Sequence, residues 1–350
     1  MRTEEQNDRS ARFYFSRREF LKGISAAASF CAAPFSGQLW EKKTPQPRKG
    51  RANPYIENGK PLLVVVEGTD VEKMLAKGLE TIGGLKNVVH SGDSVFIKPN
   101  YGSHRAYPTG SDVNFLVSIA GYIKKDGGKV TICDSSDIYV INRYNDFEYV
   151  FKTNNVFEIG KKAGVEVICT HPTDEKEYVS VHCGKWEKNP DIKVNRHLLK
   201  ADVIINQPML KKHGDASMTC ALKNFYGAVY QPQRMHSHDL FKEGGQGRDF
   251  FMKTIAEFAD AMQPELNIVD ARKILTVKGP SLKEGSVVKD INKIIISGDI
   301  VATDAYCAQV LEANDNTFKK EMIAATLQYA EKLGLGTADL NKVKIIEIKV

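Results

Sequence analysis

The residues able to do chemistry crowd into one stretch, Ala201 to Val229, which reads ADVIINQPMLKKHGDASMTCALKNFYGAV and holds Lys211, Lys212, His213, Asp215, Ser217, Thr219, Lys223 and Asn224. A histidine beside two lysines has its charged form disfavoured, so His213 is expected to stay neutral and to move a proton or bind a metal near neutral pH. Lys223 stands between Leu222 and Phe225, where partial desolvation makes an amine nucleophilic. His213 and Lys223 are therefore the expected catalytic residues. Plainer roles stay open beside these: a capping or hydrogen-bonding histidine, a lysine paired with Asp134, Asp270 or Asp304, or simply a solvated basic turn.

Cationic and amide side chains fit a small anionic substrate, because they neutralise and orient a carboxylate. Lys98, Asn100, Arg105, Lys211, Lys212 and Asn224 are the expected substrate-binding residues. The candidate metal ligands are His236, His238, Asp270 and Asp304. Two residues apart on a strand, His236 and His238 would share a face; either aspartate would serve equally to satisfy a lysine.

These groups need elements to hold them, and hydrophobic patterning supplies a regular series. Strands are expected at Pro61 to Glu67, Ser94 to Lys98, Lys129 to Cys133, Val165 to Cys169, Ala201 to Asn206, Leu266 to Asp270, Lys293 to Ser297 and Val343 to Lys349, each a short β-branched run bounded by turn residues. Helices are expected from Thr69-Asp70 to Ile82, Asp112 to Lys125, Val156 to Ala163, Asp249 to Met262, from Gly298-Asp299 through Asp304, and from Thr317 to Leu333. Glu177 to Trp186 reads as an antiparallel excursion, and Tyr230 to Gly247, with its Gly244-Gly245-Gln246-Gly247 turn, as a mobile flap. The flap is neither a Walker loop nor a dinucleotide fingerprint. Alternation of strand and helix predicts an α/β fold, a mostly parallel sheet with helices on both faces, as one body or as two lobes around a cleft. Three successive strands run into polar clusters, at Thr69-Asp70-Val71-Glu72, after Lys98 and at Asp134-Ser135-Ser136-Asp137. A ligand cleft past the carboxyl edge of a parallel sheet is built this way.

With 350 residues, 42% of them hydrophobic and 26% charged, the chain is ordinarily globular. Its formal charge of +6 is concentrated: residues 1–50 carry ten Lys/Arg against five Asp/Glu, leaving about +1 for the rest. A nucleic-acid partner thereby loses its electrostatic basis. The basic leader contains Ser16-Arg17-Arg18-Glu19-Phe20-Leu21-Lys22 followed by the short apolar run Gly23 to Phe35. This is a twin-arginine export signal, read by the translocase and too short to anchor the chain stably in a membrane. The expected organisation is a signal peptide at residues 1–37, a flexible linker at 38–54, an α/β domain at 55–350, and a periplasmic location. Downstream lie Cys133, Cys169, Cys183, Cys220 and Cys307. Without a C-x-x-C pair they encode no iron-sulfur cluster or zinc ribbon; Cys220 is the one to test for reactivity.

Four segments then carry a family likeness over nearly the whole body: Ile97-Lys98-Pro99-Asn100, the block from Lys211-Lys212-His213 to Lys223-Asn224-Phe225-Tyr226-Gly227, Ile268-Val269-Asp270-Ala271, and Gly298-Asp299 to Asp304-Ala305. They resemble the signatures of the uncharacterised family known as domain of unknown function 362. That family names no reaction, and the ferredoxin-like segment of many members has no counterpart here. The block from Asp202-Val203-Ile204-Ile205 to Lys223 is also similar in order and spacing to the core of nickel-pincer lactate racemases. Those enzymes place a catalytic histidine ahead of a lysine that carries the nicotinate-derived pincer by thioamide, at the ten-residue spacing of His213 and Lys223. A nickel-binding histidine follows there at nearly the interval at which His238 follows Lys223, fifteen residues. The loop with Arg105, Pro108 and Thr109 resembles the racemase anion-binding loop without its Asp-x-Thr-Arg order, and Ala221-Leu222 stands where the racemases have Gly-Gly. What the resemblance implies is an enzyme with a metal or nickel-pincer-like cofactor acting on a small anionic, hydroxy-acid-like substrate. A non-catalytic periplasmic protein that captures an anion or metal, and an accessory protein of an iron-sulfur redox partner, are the alternatives.

Overall fold

The computed structural model describes residues 45–102 and 105–350; the expected signal at 1–37 and the start of the linker lie outside the described residues. In chain order the elements used below are β1 (Lys60–Glu67), α1 (Val71–Ile82), β2 (Ser94–Lys98), α2 (Val113–Lys125), β3 (Lys129–Ser135), β4 (Glu166–Thr170), β5 (Val203–Asn206), β6 (Met209–His213), β7 (Ser217–Thr219), α3 (Ala221–Asn224), α4 (Gln231–Lys242), α5 (Gln246–Asp260), β8 (Leu266–Thr276), β9 (Val287–Ser297), α6 (Ile300–Asn314) and β10 (Lys344–Lys349).

The main sheet runs β10-β1-β9-β8-β5-β2-β3-β4, and every neighbouring pair is parallel except those made by β9, which lies antiparallel between β1 and β8. Burial on both faces explains why the strands read as unbroken apolar runs. Val65, Phe96, Ile204, Val269 and Ile295 pack into one core layer, whereas Val64, Val66, Val95, Ile97, Val203, Ile205, Ile268 and Ile294 pack into the other. Successive residues of a strand point to opposite faces, so each strand feeds both layers. The body is one unit rather than two lobes.

Asp70 caps α1 by accepting from Lys73 N, and Asp112 caps α2 by accepting from Asn114 N, as a short acidic side chain does at free helix N–H groups.

Four expectations need correction. Residues 45–54 are not a mobile linker over their described part: buried Arg48 donates to Ala201 O at 3.0 Å, Asp202 O at 2.8 Å and Gln263 O at 2.7 Å, and pairs with Glu265 at 2.8 Å. A Lys/Arg/Pro-rich composition looks disordered only while the distant carboxylate and carbonyls that satisfy it are out of view. The stretch Tyr230 to Gly247 is not a flap; most of it is helix α4 with Pro232 in its first turn, as proline prefers. Strands β8 and β9 continue well past Asp270 and start well before Lys293 as a hairpin, with a register shift between Ala271 and Lys273; charged outer halves hid the pairing. Finally, the regular helix near the C-terminus is confined to Ala324–Leu333, with a 3-10 turn at Lys320–Ile323 before it.

Candidate functional site

Beyond the carboxyl ends of β2 and β5 the chain changes direction across the sheet, since β3 follows to one side of β2 and β8 lies to the other side of β5. Ligand crevices of open α/β sheets form at such a point. A cavity of about 470 Å³ occupies it here, lined by residues that include Lys98, Asn100, Asp134, Lys211, His213, Lys223, Asn224, Gly227, Gln231, Arg234 and His238.

Its floor is built from two buried polar assemblies. Lys98, closing β2, forms an ion pair with Asp134 at 2.7 Å with both side chains 1% exposed, and the carboxylate also accepts from Tyr101 N and Ser135 N at 3.0 and 2.8 Å. Next to it runs a relay of amides. Asn206 Nδ2 donates to Asn267 Oδ1 at 2.9 Å, Asn224 Nδ2 to Asn206 Oδ1 at 2.8 Å, Asn100 Nδ2 to Asn224 Oδ1 at 2.8 Å, and Lys211 Nζ to Asn100 Oδ1 at 2.7 Å. Each donor meets an acceptor, so the relay fixes the orientation of every member.

The segment after Pro208 is a strand rather than a polar loop, and strand alternation sorts its lysines. Lys211 and His213 of β6 line the cavity, while Lys212 points away, donating to Thr317 O at 2.9 Å and lying 5.3 Å from the Phe318 ring centre. Opposite β6, α4 presents His238, whose Nδ1 is 2.7 Å from Asp215 Oδ2. The rings of His213 and His238 are 6.1 Å apart, centre to centre. The Lys223 amine sits 3.0 Å from the Tyr226 ring centre and 5.6 Å from that of Phe251, with no carboxylate in ion-pair range among the described residues.

Burial sets the protonation of this wall. It pushes Lys211 down to about 7. Burial, then the Arg234 guanidinium, holds the Lys223 amine well below its ordinary value; burial, then Lys223, does the same to His213. His238 is lowered by burial against the opposing pull of Asp215. His213 Nδ1 accepts from Asp215 N at 3.1 Å and Ala216 N at 3.2 Å, which leaves the proton of the neutral ring on Nε2. The expected base is thus better suited to donating a hydrogen bond. His238 has the reverse arrangement: Nδ1–H to a carboxylate and Nε2 with a free lone pair, the disposition of a general base.

Other expected residues are placed elsewhere or otherwise engaged. Lys98 lines the cavity but is committed to Asp134. Arg105 is exposed on the loop after β2. His236 is exposed and packs edge-on against Phe250 at 5.7 Å. Asp270 is held by Arg272 at 2.6 Å. Asp304 accepts from Ala221 N at 2.6 Å and Leu222 N at 3.2 Å, anchoring α3 and with it Lys223. Among the described residues no group of three or more His, Cys, Asp or Glu side chains is placed to hold a metal ion. Cys220 is buried and its thiol pushed well above its ordinary value, which makes it inert.

Sequence reasoning missed Asn206, Asn267, Gln231 and Arg234, and the pairing of Asp215 with His238. The signal for two of them was present, Gln231 and Arg234 at i and i+3 on one helical face, but it was hidden by reading that segment as a flap.

The chain matches the family described as Domain of unknown function (DUF362) over residues 95–309. A thylakoid-associated protein of Synechocystis sp. is 24% identical over 263 residues, 73% of either chain. The lactate racemase apoprotein of Thermoanaerobacterium thermosaccharolyticum superposes with a TM-score of 0.37 at 8% identity, over 67% of this chain and 55% of that one. A Thermotoga maritima protein superposes with a TM-score of 0.38 at 12% identity, over 76% and 59%.

Proposed function

This chain belongs to the DUF362 family, and from the cationic and imidazole lining of its cavity, together with the resemblance of the His213-to-Lys223 block to nickel-pincer racemases, we propose that it is an enzyme acting on a small anionic substrate with the help of an organometallic group attached at Lys223. The observation that carries the reading is the Lys223 amine itself: buried, its proton held less tightly than usual by that burial and then by Arg234, without a carboxylate partner among the described residues and lining a cavity large enough for a cofactor-sized molecule. A bare metal ion does not fit the described residues, because among them no donor set converges. A group bonded to the Lys223 amine fits, since that amine lines the cavity without a carboxylate partner among the described residues and so offers a lone pair for the bond. Ala221 and Leu222 are fully buried away from the cavity, so their bulk relative to glycine takes no space from it.

Such a group would supply redox chemistry that side chains lack; the rest belongs to the chain. Lys211 binds the substrate's negative charge. His213 donates from Nε2 to a substrate oxygen, and His238, oriented by Asp215, takes a proton at Nε2. Elemental analysis and intact mass of protein isolated from its own host test the proposal. Bound metal and an adduct mapping to Lys223 are expected, together with turnover that falls by roughly 10² to 10⁴ in His238→Ala. Anion binding with no metal, adduct or turnover would instead establish a capture protein, which the same unpaired cations favour as the second reading.

The Arg17-Arg18 signal supports export of the folded protein. Among the described residues no helix is long and apolar enough to cross a membrane. Cell fractionation should find the mature chain outside the cytoplasm and an R17K/R18K variant inside it; equal distribution of the two would remove this part of the reading.

A further inference from the structure

Five lysine and arginine residues are buried among the described residues: Arg48, Lys98, Lys211, Lys223 and Arg234. Arg48 has Glu265 and Lys98 has Asp134. The other three have no carboxylate within ion-pair range among the described residues, and all three line one cavity. A buried charge without a counter-ion is costly, so a protein that keeps one in a cavity is built for a ligand that brings the opposite charge.

Arg234 is 5% exposed. Its Nη2 donates to Ser135 Oγ at 2.5 Å and to Gly227 O at 3.1 Å, and its Nε to Val229 O. These neutral acceptors orient the guanidinium and leave its charge uncompensated. Lys211 has a separate set of partners, Asn100 Oδ1 and Thr109 O. The two cations are fixed at different parts of the cavity wall, Arg234 beside Ser135, Gly227 and Val229 and Lys211 beside Asn100 and Thr109. Both add to the positive field at Lys223. One helical turn before Arg234, Gln231 lines the cavity with a buried Oε1 that has no partner among the described residues, an acceptor open to a ligand's hydroxyl rather than to its carboxylate.

We propose that the cavity takes a short dicarboxylate, one carboxylate on Arg234 and the other on Lys211, with the intervening carbons beside Lys223 and the two imidazoles. This rests on the reading of the cavity as an anion site and narrows it, since a single carboxylate would leave one pole bare. Calorimetric titration of the purified full chain at fixed ionic strength with succinate, malate, propionate, lactate and inorganic phosphate tests it. Succinate and malate should bind roughly tenfold to a hundredfold more tightly than propionate, lactate or phosphate, the range expected of one extra charge-assisted contact. Arg234→Met should bring succinate down to the affinity of propionate, and Arg234→Lys should recover part of the difference. If Arg234→Met does not fold, the series on the unaltered protein decides alone. Monocarboxylates or phosphate binding as tightly as succinate would overturn the two-pole site and leave the anion reading standing; no binding of any of the five would overturn both.

Discussion

Gly227→Ala lowers the stability of the fold by about 3–5 kcal/mol, the cost of breaking a buried ion pair. A Cβ at this position would stand 2.3 Å from Asp134 Oδ1, 2.8 Å from Lys98 Nζ and 3.2 Å from Lys98 Cε. Asp134 is too short to swing aside and is pinned by Tyr101 N and Ser135 N; Lys98 can move only by leaving its counter-ion. The methyl group therefore fits only if the pair separates, and each partner is then left charged or unsatisfied in the interior. Lys98→Met should cost a similar amount by stranding Asp134, whereas Lys98→Met combined with Asp134→Leu should regain only part of the loss, because it removes the stranded charge but leaves Tyr101 N and Ser135 N without their acceptor. Urea denaturation measures all three. A Gly227→Ala protein within about 1 kcal/mol of the parent, well under that cost, would show that the pair is not held as described.

Anion affinity should be nearly constant below about pH 7 and should fall about tenfold for each pH unit above it, until Lys211 titrates in the complex as well. The anion needs the ammonium form of Lys211, and burial has brought that group down to about 7 from an ordinary 10.5. Stability of the ligand-free protein runs the other way. Between about 7 and 10.5 the unfolded chain binds a proton at Lys211 that the folded chain does not, so the contribution of this group makes the fold more stable as pH rises across that window. The groups around Lys211 sharpen the expectation: Asn100 and Thr109 accept from it, its charge lowers His213 and Lys223, and Lys283 adds to the positive field at His213. Lys211→Met should remove the dependence of anion affinity on pH and this group's share of the stability dependence, while abolishing tight anion binding. Titration calorimetry and denaturation from pH 6 to 10 check this; an affinity that is flat through the window would mean that the anion is held without Lys211.

Much of the site was legible because it is local. His213, Lys211, Lys223, Asn224 and Asn100 were expected together, and all line one cavity, since strand ends read from β-branched runs deliver their loops to one edge of a parallel sheet. The roles within the site were less legible. That Lys98 is consumed by Asp134, that Lys212 turns outward, and that Asp304 holds the backbone of α3 all depend on partners 36 to 105 residues away in the chain. The tautomer of His213 depends on two backbone N–H groups whose direction the β6 hairpin sets. Arg234 and His238 required the knowledge that a polar, glycine-flanked segment is helical, which its weakly amphipathic pattern does not announce; packing of α4 against α5 and the Tyr226–Phe251 cluster stabilises it.

The amino-acid sequence by itself determined the α/β class, the edge of the sheet at which the polar loops gather, and the family, because hydrophobic period and short motifs are properties of neighbouring residues. Only the tertiary structure decided which buried cations are answered by carboxylates and which are left for a ligand. Charge compensation is a matter of distance in space, and the chain brings Arg48 to Glu265 and Lys98 to Asp134 while bringing no carboxylate within ion-pair range of Lys211, Lys223 or Arg234 among the described residues.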